Sequence, residues 1–267
     1  MTVIPVGEIQ LDYERTGAGA PLLMIMGLGG TALHWCDHFL QALRGHFETI
    51  VYDHRGVGAS SRLDGPVSIR QMADDAVGLL DALGLEEAHV LGISMGGMIA
   101  QELALAHPQR ILTLTLGCTY CGGPGSALMA PETTRRLADA RLSRDRERAI
   151  RVSWEVNVSP EFAADEQAWA HFHDVSERRT VALSVIAEQA QAVTAHDTSA
   201  RLHEIALPTL VIHGSVDQIL PVQNGHMVAE RIPGARLELF DGVGHLFFWE
   251  RPQRSAELML AHAGAYA

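Results

Sequence analysis

The chain has 267 residues, 47% of them hydrophobic, so it can bury a large core, and its length fits one α/β domain or a domain with an insertion. Lys and Arg number 20 against 32 Asp and Glu, and the resulting formal net charge of -12 repels polyanions and argues against a nucleic-acid partner. The start, MTVIPVGEIQLDYERTG, has no basic segment followed by an apolar one, and no apolar run approaches the roughly 18–20 residues that cross a bilayer, so neither a signal peptide nor a membrane partner is expected.

In chain order, Ile9-Gln10-Leu11-Asp12-Tyr13 alternates apolar and polar residues, as a half-exposed strand does. Leu22 to Met26, Thr49 to Tyr52, His89 to Ile93 and Ile111 to Leu116 are apolar runs of strand length, the type buried on both faces of a parallel sheet. Between the second and third runs, Ser68-Ile69-Arg70-Gln71 reads as a capping box. It opens a helix with Met72, Ala76, Leu79, Leu80 and Leu83 on its apolar face, and Gly84 ends it. From about residue 124 to 200 the composition changes: TTRRLADARLSRDRERAIRVSW is charged and helical, and Trp154, Phe162, Trp169 and Phe172 follow. Strand patterns resume at 208–214 and 236–240, with a helix between them from near Pro221. This predicts an α/β fold, a mostly parallel central sheet flanked by helices, with core residues 1-123 and 201-267 and a helical insertion at 124-200.

Cys36, Cys118 and Cys121 are too few and odd in number for a disulfide framework, so a cytoplasmic location is expected. Cys118-Thr119-Tyr120-Cys121 has redox spacing, but Gly122-Gly123-Pro124 follows where such a pair needs a helix. His171 and His173 stand two apart on a helical pattern and point to different faces, so no metal site is expected there.

Gly92-Ile93-Ser94-Met95-Gly96 matches G-x-S-x-G between a buried strand and a helix running to about His107. The pentapeptide fits two readings equally: Ser94 as an ordinary helix N-cap, or Ser94 as a nucleophile exposed on a strained strand-to-helix turn. A serine nucleophile needs a base in hydrogen-bond reach and an acid to hold the base's tautomer. Asp217 follows the strand at 209–213 and His245 follows the strand at 236–240, so both project from the sheet edge where open α/β folds bind ligands. After the strand at 111–116 no acid appears until Glu132, which leaves Asp217 without a rival there. An oxyanion would need backbone donors, and the N-H of Met95 and that of Leu28, in the loop Met26-Gly27-Leu28-Gly29-Gly30, are the candidates. That loop lacks the G-K-[ST] and G-x-G-x-x-G patterns of phosphate cradles.

With these motifs, the turn Asp53-His54-Arg55-Gly56-Val57-Gly58-Ala59-Ser60, the stretch HGSVDQILP and the ending GHLFFWERP, the sequence resembles the α/β-hydrolase superfamily over nearly its whole length. The resemblance implies Ser94 as nucleophile, His245 as base, Asp217 as acid, Leu28 and Met95 as oxyanion donors, and the insertion as a helical cap. It implies a scaffold role for Asp53 and Arg55, and neither metal nor cofactor. Many relatives have His-Gly where this chain has Met26-Gly27, and methionine cannot make the bonds that a histidine could use to fix the loop. Ser94 argues against the dehalogenase and epoxide-hydrolase branches, which carry aspartate at the elbow, and GLGG lacks the proline of the aminopeptidase branch.

The expected substrate is a small to medium, largely apolar carboxylic ester. The candidate pocket residues are Gly27, Cys118, Tyr120, Trp154 and Leu246, with the Met95 side chain, Trp169 and Phe172 as further contacts. A lactonase acting on an anionic enol-lactone would want a cation in the pocket. Arg135, Arg136, Arg144, Arg151, Arg178 and Arg179 are instead expected on solvated helix faces. A perhydrolase, a lyase or a small-molecule binding protein would use the same fold. Oligomeric state is not legible.

Overall fold

In the computed structural model, residues 1–266 are described. The first half alternates β1 Thr2–Val6, β2 Ile9–Gly17, β3 Ala20–Ile25, α1 Asp37–Arg44, β4 Phe47–Tyr52, α2 Ile69–Ala82, β5 Ala88–Ile93, α3 Met95–Ala106 and β6 Ile111–Gly117. Five helices then intervene: α4 Pro131–Leu142, α5 Arg146–Asn157, α6 Pro160–Ala163, α7 Glu166–Arg178 and α8 Leu183–Ala195. The sheet resumes with β7 Thr209–Gly214, followed by α9 Gln223–Arg231, β8 Arg236–Phe240, α10 Phe247–Glu250 and α11 Pro252–Gly264.

The eight strands form one sheet in the order β1-β2-β4-β3-β5-β6-β7-β8, antiparallel at β1–β2 and β2–β4 and parallel elsewhere. The apolar runs become its central strands: every residue of β5 and of β7 is buried. The pleat sends alternate residues to two cores. Leu23 and Ile25 of β3 join one core with α2 and α3, whereas Leu22 and Met24 join the other with α1, α10 and α11. Strand β1 adds a hairpin that the alternation at Ile9–Tyr13 did not foreshadow. Its two-residue turn is closed by Gly7 at φ 56°, a region that favours glycine.

Helix α2 begins where Ser68 Oγ accepts from Gln71 N at 3.1 Å. Only that half of the expected capping box forms, because Gln71 is exposed and its side chain does not return to the Ser68 N–H. The chain leaves β3 for β4 on one side and reaches β5 on the other, so β3 and β5 are neighbours at the point where strand order reverses. Loops leaving the carboxyl ends of these two strands therefore diverge and leave a crevice between them.

Candidate active site

Ser94 sits at φ 57° and ψ -121°, a backbone region that costs a non-glycine residue about 1–3 kcal/mol. Its side chain makes no capping bond to α3, which removes the ordinary N-cap reading. The strained turn is held from several directions: Ser94 N donates to Gly117 O at 2.9 Å, and Ser94 O accepts from Gly97 N at 2.9 Å and from Thr119 Oγ1 at 2.7 Å. Glycine is required at 96, since a Cβ there would overlap the backbone carbonyl of Ile25 on β3.

Asp217 and His245 come together at the carboxyl ends of β7 and β8, with Asp217 Oδ2 2.7 Å from His245 Nδ1. Asp217 Oδ1 accepts from the N–H groups of Ile219 (2.8 Å) and Leu220 (2.9 Å), which fixes the carboxylate plane. A second imidazole lies on the same acid. His213 Nε2 donates to Leu220 O at 2.7 Å and stands 3.2 Å from Asp217 Oδ2. Burial by itself would raise the Asp217 pKa, but His245 and His213 outweigh it and hold the carboxyl below its ordinary 3.8. With Nδ1–H of His245 committed to Asp217, its Nε2 is the free basic nitrogen. Ser94 and His245 line the same cavity without a hydrogen bond between them, a contact that commonly tightens only when substrate binds.

Cys118, Asp217 and His245 present ligand atoms within 4.8 Å of one another, the only such metal-capable group among the described residues. Its donor set fits a metal poorly. The carboxylate is already saturated by protein donors, and burial, reinforced by Asp217, pushes the Cys118 thiol pKa well above 9.0, so it stays protonated.

The Met26–Gly30 loop lies against the serine: a Cβ at Gly27 would come within 3.0 Å of Ser94 Cβ. The N–H groups of Leu28 and Met95 donate to no acceptor among the described residues, whereas Gly29 N donates to Gln189 Oε1 on α8 at 2.9 Å. Methionine at 26 does not leave the loop loose, because His54 Nε2 donates to Met26 O at 2.9 Å and Asp53 Oδ1 accepts from Ala32 N at 2.7 Å.

Above Ser94 opens a cavity of about 750 Å³, walled by the Met26–Gly30 loop and by faces of α4, α5, α7 and α8. Of the expected pocket residues, Gly27, Tyr120 and Leu246 line it. Cys118 and Trp154 do not, and that expectation is corrected. Cys118 is fully buried beneath Asp217 and His245. Trp154 is fully buried among Phe162, Phe172 and Trp249, where it knits the insertion to α10 and donates to Ala163 O. The Met95 side chain also misses the cavity, because the first turn of α3 points it into the sheet core. Phe172 reaches the wall, whereas Trp169 stacks under Arg151 instead.

A family model described as alpha/beta hydrolase fold matches residues 20–252. The chain belongs to this family. Among its α/β-hydrolase relatives, "Putative carbamate hydrolase RutD" of Azorhizobium caulinodans is 33% identical over 97% of this chain and 96% of its own length. Rhodomycin D methylesterase DauP of Streptomyces sp. (strain C5) is 31% identical over 98% of each chain. Among solved structures, Est816, described as an N-acyl homoserine lactone degrading enzyme, superposes with a TM-score of 0.80 at 30% identity, covering 97% of this chain and 99% of its own.

This α/β hydrolase also uses residues that sequence reasoning missed. His213 is visible in the HGSVD stretch, but its role on Asp217 depends on a turn that brings i and i+4 together outside a helix. Glu250, in the GHLFFWERP ending, is buried and accepts from Gly244 N (2.8 Å), Ser159 N (2.9 Å) and Ser159 Oγ (2.5 Å), tying the His245 loop to the insertion. Gln189, which accepts from the Gly29 amide, and Arg141, which lies in the cavity wall, carried no local signal. Arg179, expected in solvent, pairs instead with Asp12 Oδ2 at 2.9 Å and with Asp53, because α7 ends over the amino-terminal sheet edge.

Proposed function

We propose that the protein is a serine carboxylic ester hydrolase acting through an acyl-enzyme, with residues 124–200 as a cap over a core formed by 1–123 and 201–267. The Asp217–His245 hydrogen bond beside a serine held at φ 57° carries the reading. Ser94 Oγ attacks the ester carbonyl carbon while His245 Nε2 takes its proton, and the carbonyl electron pair moves onto oxygen. The unpaired N–H groups of Leu28 and Met95 hold that oxyanion, each worth on the order of 3 kcal/mol in the transition state. His245 then gives its proton to the leaving alkoxide oxygen as the C–O bond breaks. Water attacks the acyl-enzyme with His245 again as base, and the acid leaves with Ser94 Oγ restored.

Apart from its polar groups, the cavity wall offers Leu137, Phe172, Val193, Ile219 and Leu246 to an apolar substrate body, which supports a small to medium ester. A lactone is the second reading, supported by the lactone degrading activity in the description of Est816. Three buried free thiols support a cytoplasmic location. No helix among the described residues is long and apolar enough to cross a membrane.

The test is pre-steady-state hydrolysis of 4-nitrophenyl acetate, butyrate and octanoate. A nitrophenolate burst equal to the enzyme concentration is expected, lost in Ser94→Ala with the melting temperature kept. Burst and turnover unchanged in that variant would sink the mechanism, and slow binding without turnover in the parent protein would favour a binding role.

A further inference from the structure

The cavity above Ser94 has one fixed charge. Among the described residues that line it, Arg141 is the single Lys, Arg, Asp or Glu side chain. It reaches the cavity because Thr134, Leu137 and Arg141, spaced three and four apart, form one face of α4. Five of the eight other arginines of the insertion are neutralised: Arg136 and Arg151 share Glu155, Arg178 pairs with Asp174, Arg146 with Glu177, and Arg179 with Asp12 and Asp53. Among the described residues Arg141 has neither ion pair nor hydrogen-bond partner, although the chain carries 32 acidic residues.

The residue as a whole is exposed, yet its charged end is crowded enough that burial pushes the guanidinium pKa down with nothing to offset it. Guanidinium does not escape such a site by losing its proton, and its fork of N–H donors matches a carboxylate in two parallel bonds. Among the described residues Arg135, Arg144 and Arg148 also lack a side-chain partner, but they are exposed and line no part of the cavity, whereas Arg141 is an unpaired cation facing an otherwise uncharged one.

We infer that Arg141 is a specificity residue that binds a carboxylate at the far end of the substrate, the ester carbonyl lying at Ser94 and an apolar chain spanning the space between. This rests on the ester-hydrolase reading and narrows it: the substrates are half-esters of dicarboxylic acids, or lactones with a carboxylate tail, rather than uncharged esters. The apolar part of the wall agrees, since Leu137, Val193 and Ile219 suit methylene groups. Because Arg141 keeps solvent contact, screening limits the preference to about tenfold, and added salt weakens it.

The experiment compares monoethyl with diethyl esters of succinate, glutarate, adipate and suberate, following product by chromatography. The expected result is a kcat/KM ratio of about ten in favour of the monoester at one chain length, falling to about one in Arg141→Gln and partly retained in Arg141→Lys. A ratio at or below one at every length, or the same ratio in Arg141→Gln, overturns the proposal while leaving Ser94-dependent ester hydrolysis intact. Calorimetric titration of adipate into Ser94→Ala decides the site without turnover. Binding about tenfold weaker in Ser94→Ala/Arg141→Gln supports it, and equal or absent binding overturns it. No Ser94-dependent hydrolysis of any ester, with adipate still bound through Arg141, would instead discard the hydrolase reading.

Discussion

Ser94 is a residue whose backbone works against stability, and the conflict is measurable. At φ 57° a Cβ is strained and glycine is not, so Ser94→Gly is expected to stabilise the fold by about 1 kcal/mol relative to Ser94→Ala, although both lose the proposed nucleophile. Chemical denaturation of the two variants checks this, and equal midpoints would mean that the turn stores no strain. The same residue shows what local pattern can and cannot reveal. G-x-S-x-G between strand and helix was readable, but an N-cap serine would read the same way. Only the dihedral angles and the missing cap bond separate the two.

Among the elements, the insertion is bound to the sheet by buried polar links rather than by apolar contact alone. Arg179, at the end of α7, bridges Asp12 on β2 and Asp53 after β4, whose side chains are 4% and 0% exposed and so have no water to replace the cation. Burial already raises the Asp53 pKa against the opposing pull of the Ala32 N–H and Arg179. Arg179→Met strands both carboxylates and is expected to cost about 3–5 kcal/mol, read as a lower urea midpoint. Adding Asp53→Asn to that variant should recover part of the loss. No change in midpoint would return Arg179 to the solvated role that the charged composition of the insertion suggests. Composition led to that expectation because a charge run is usually a solvated face, and the partner acids lie more than 120 residues away in sequence.

For the whole molecule, histidines that the fold holds neutral are expected to set the acid limit of stability. Burial lowers both His34 and His196 from 6.5 to about 4, with Thr31 only partly offsetting the shift at His34. As pH falls below 6.5 the unfolded chain takes up these protons while the folded chain does not, so stability is full above that value and declines towards pH 4. Asp217, with its folded pKa held below 3.8, adds a loss in the same direction at still lower pH. The melting temperature should therefore be nearly flat from about pH 8 to 7 and fall steadily from about 6.5 to 4. A flat profile down to pH 4 would mean that these rings are hydrated in the folded protein. Both histidines line the cavity wall, so the loss begins where the site is built.

The central strands, the interruption after β6 and the candidate trio Ser94, Asp217 and His245 were legible in the sequence, because each rests on short-range signals: apolar runs of strand length, and turn residues at strand ends; the first strand and the order of strands in the sheet were not. What tertiary structure decided is which distant groups share a space. It set His213 beside Asp217, and Gln189 of α8 against the Gly29 amide. It took Cys118 and Trp154 out of the pocket, since a residue next to a motif or an aromatic in a cap can face either a cavity or a core. It singled out Arg141 from a run of similar arginines, because the helix face that a side chain occupies follows from its spacing, but what that face meets follows from packing between elements far apart in the chain.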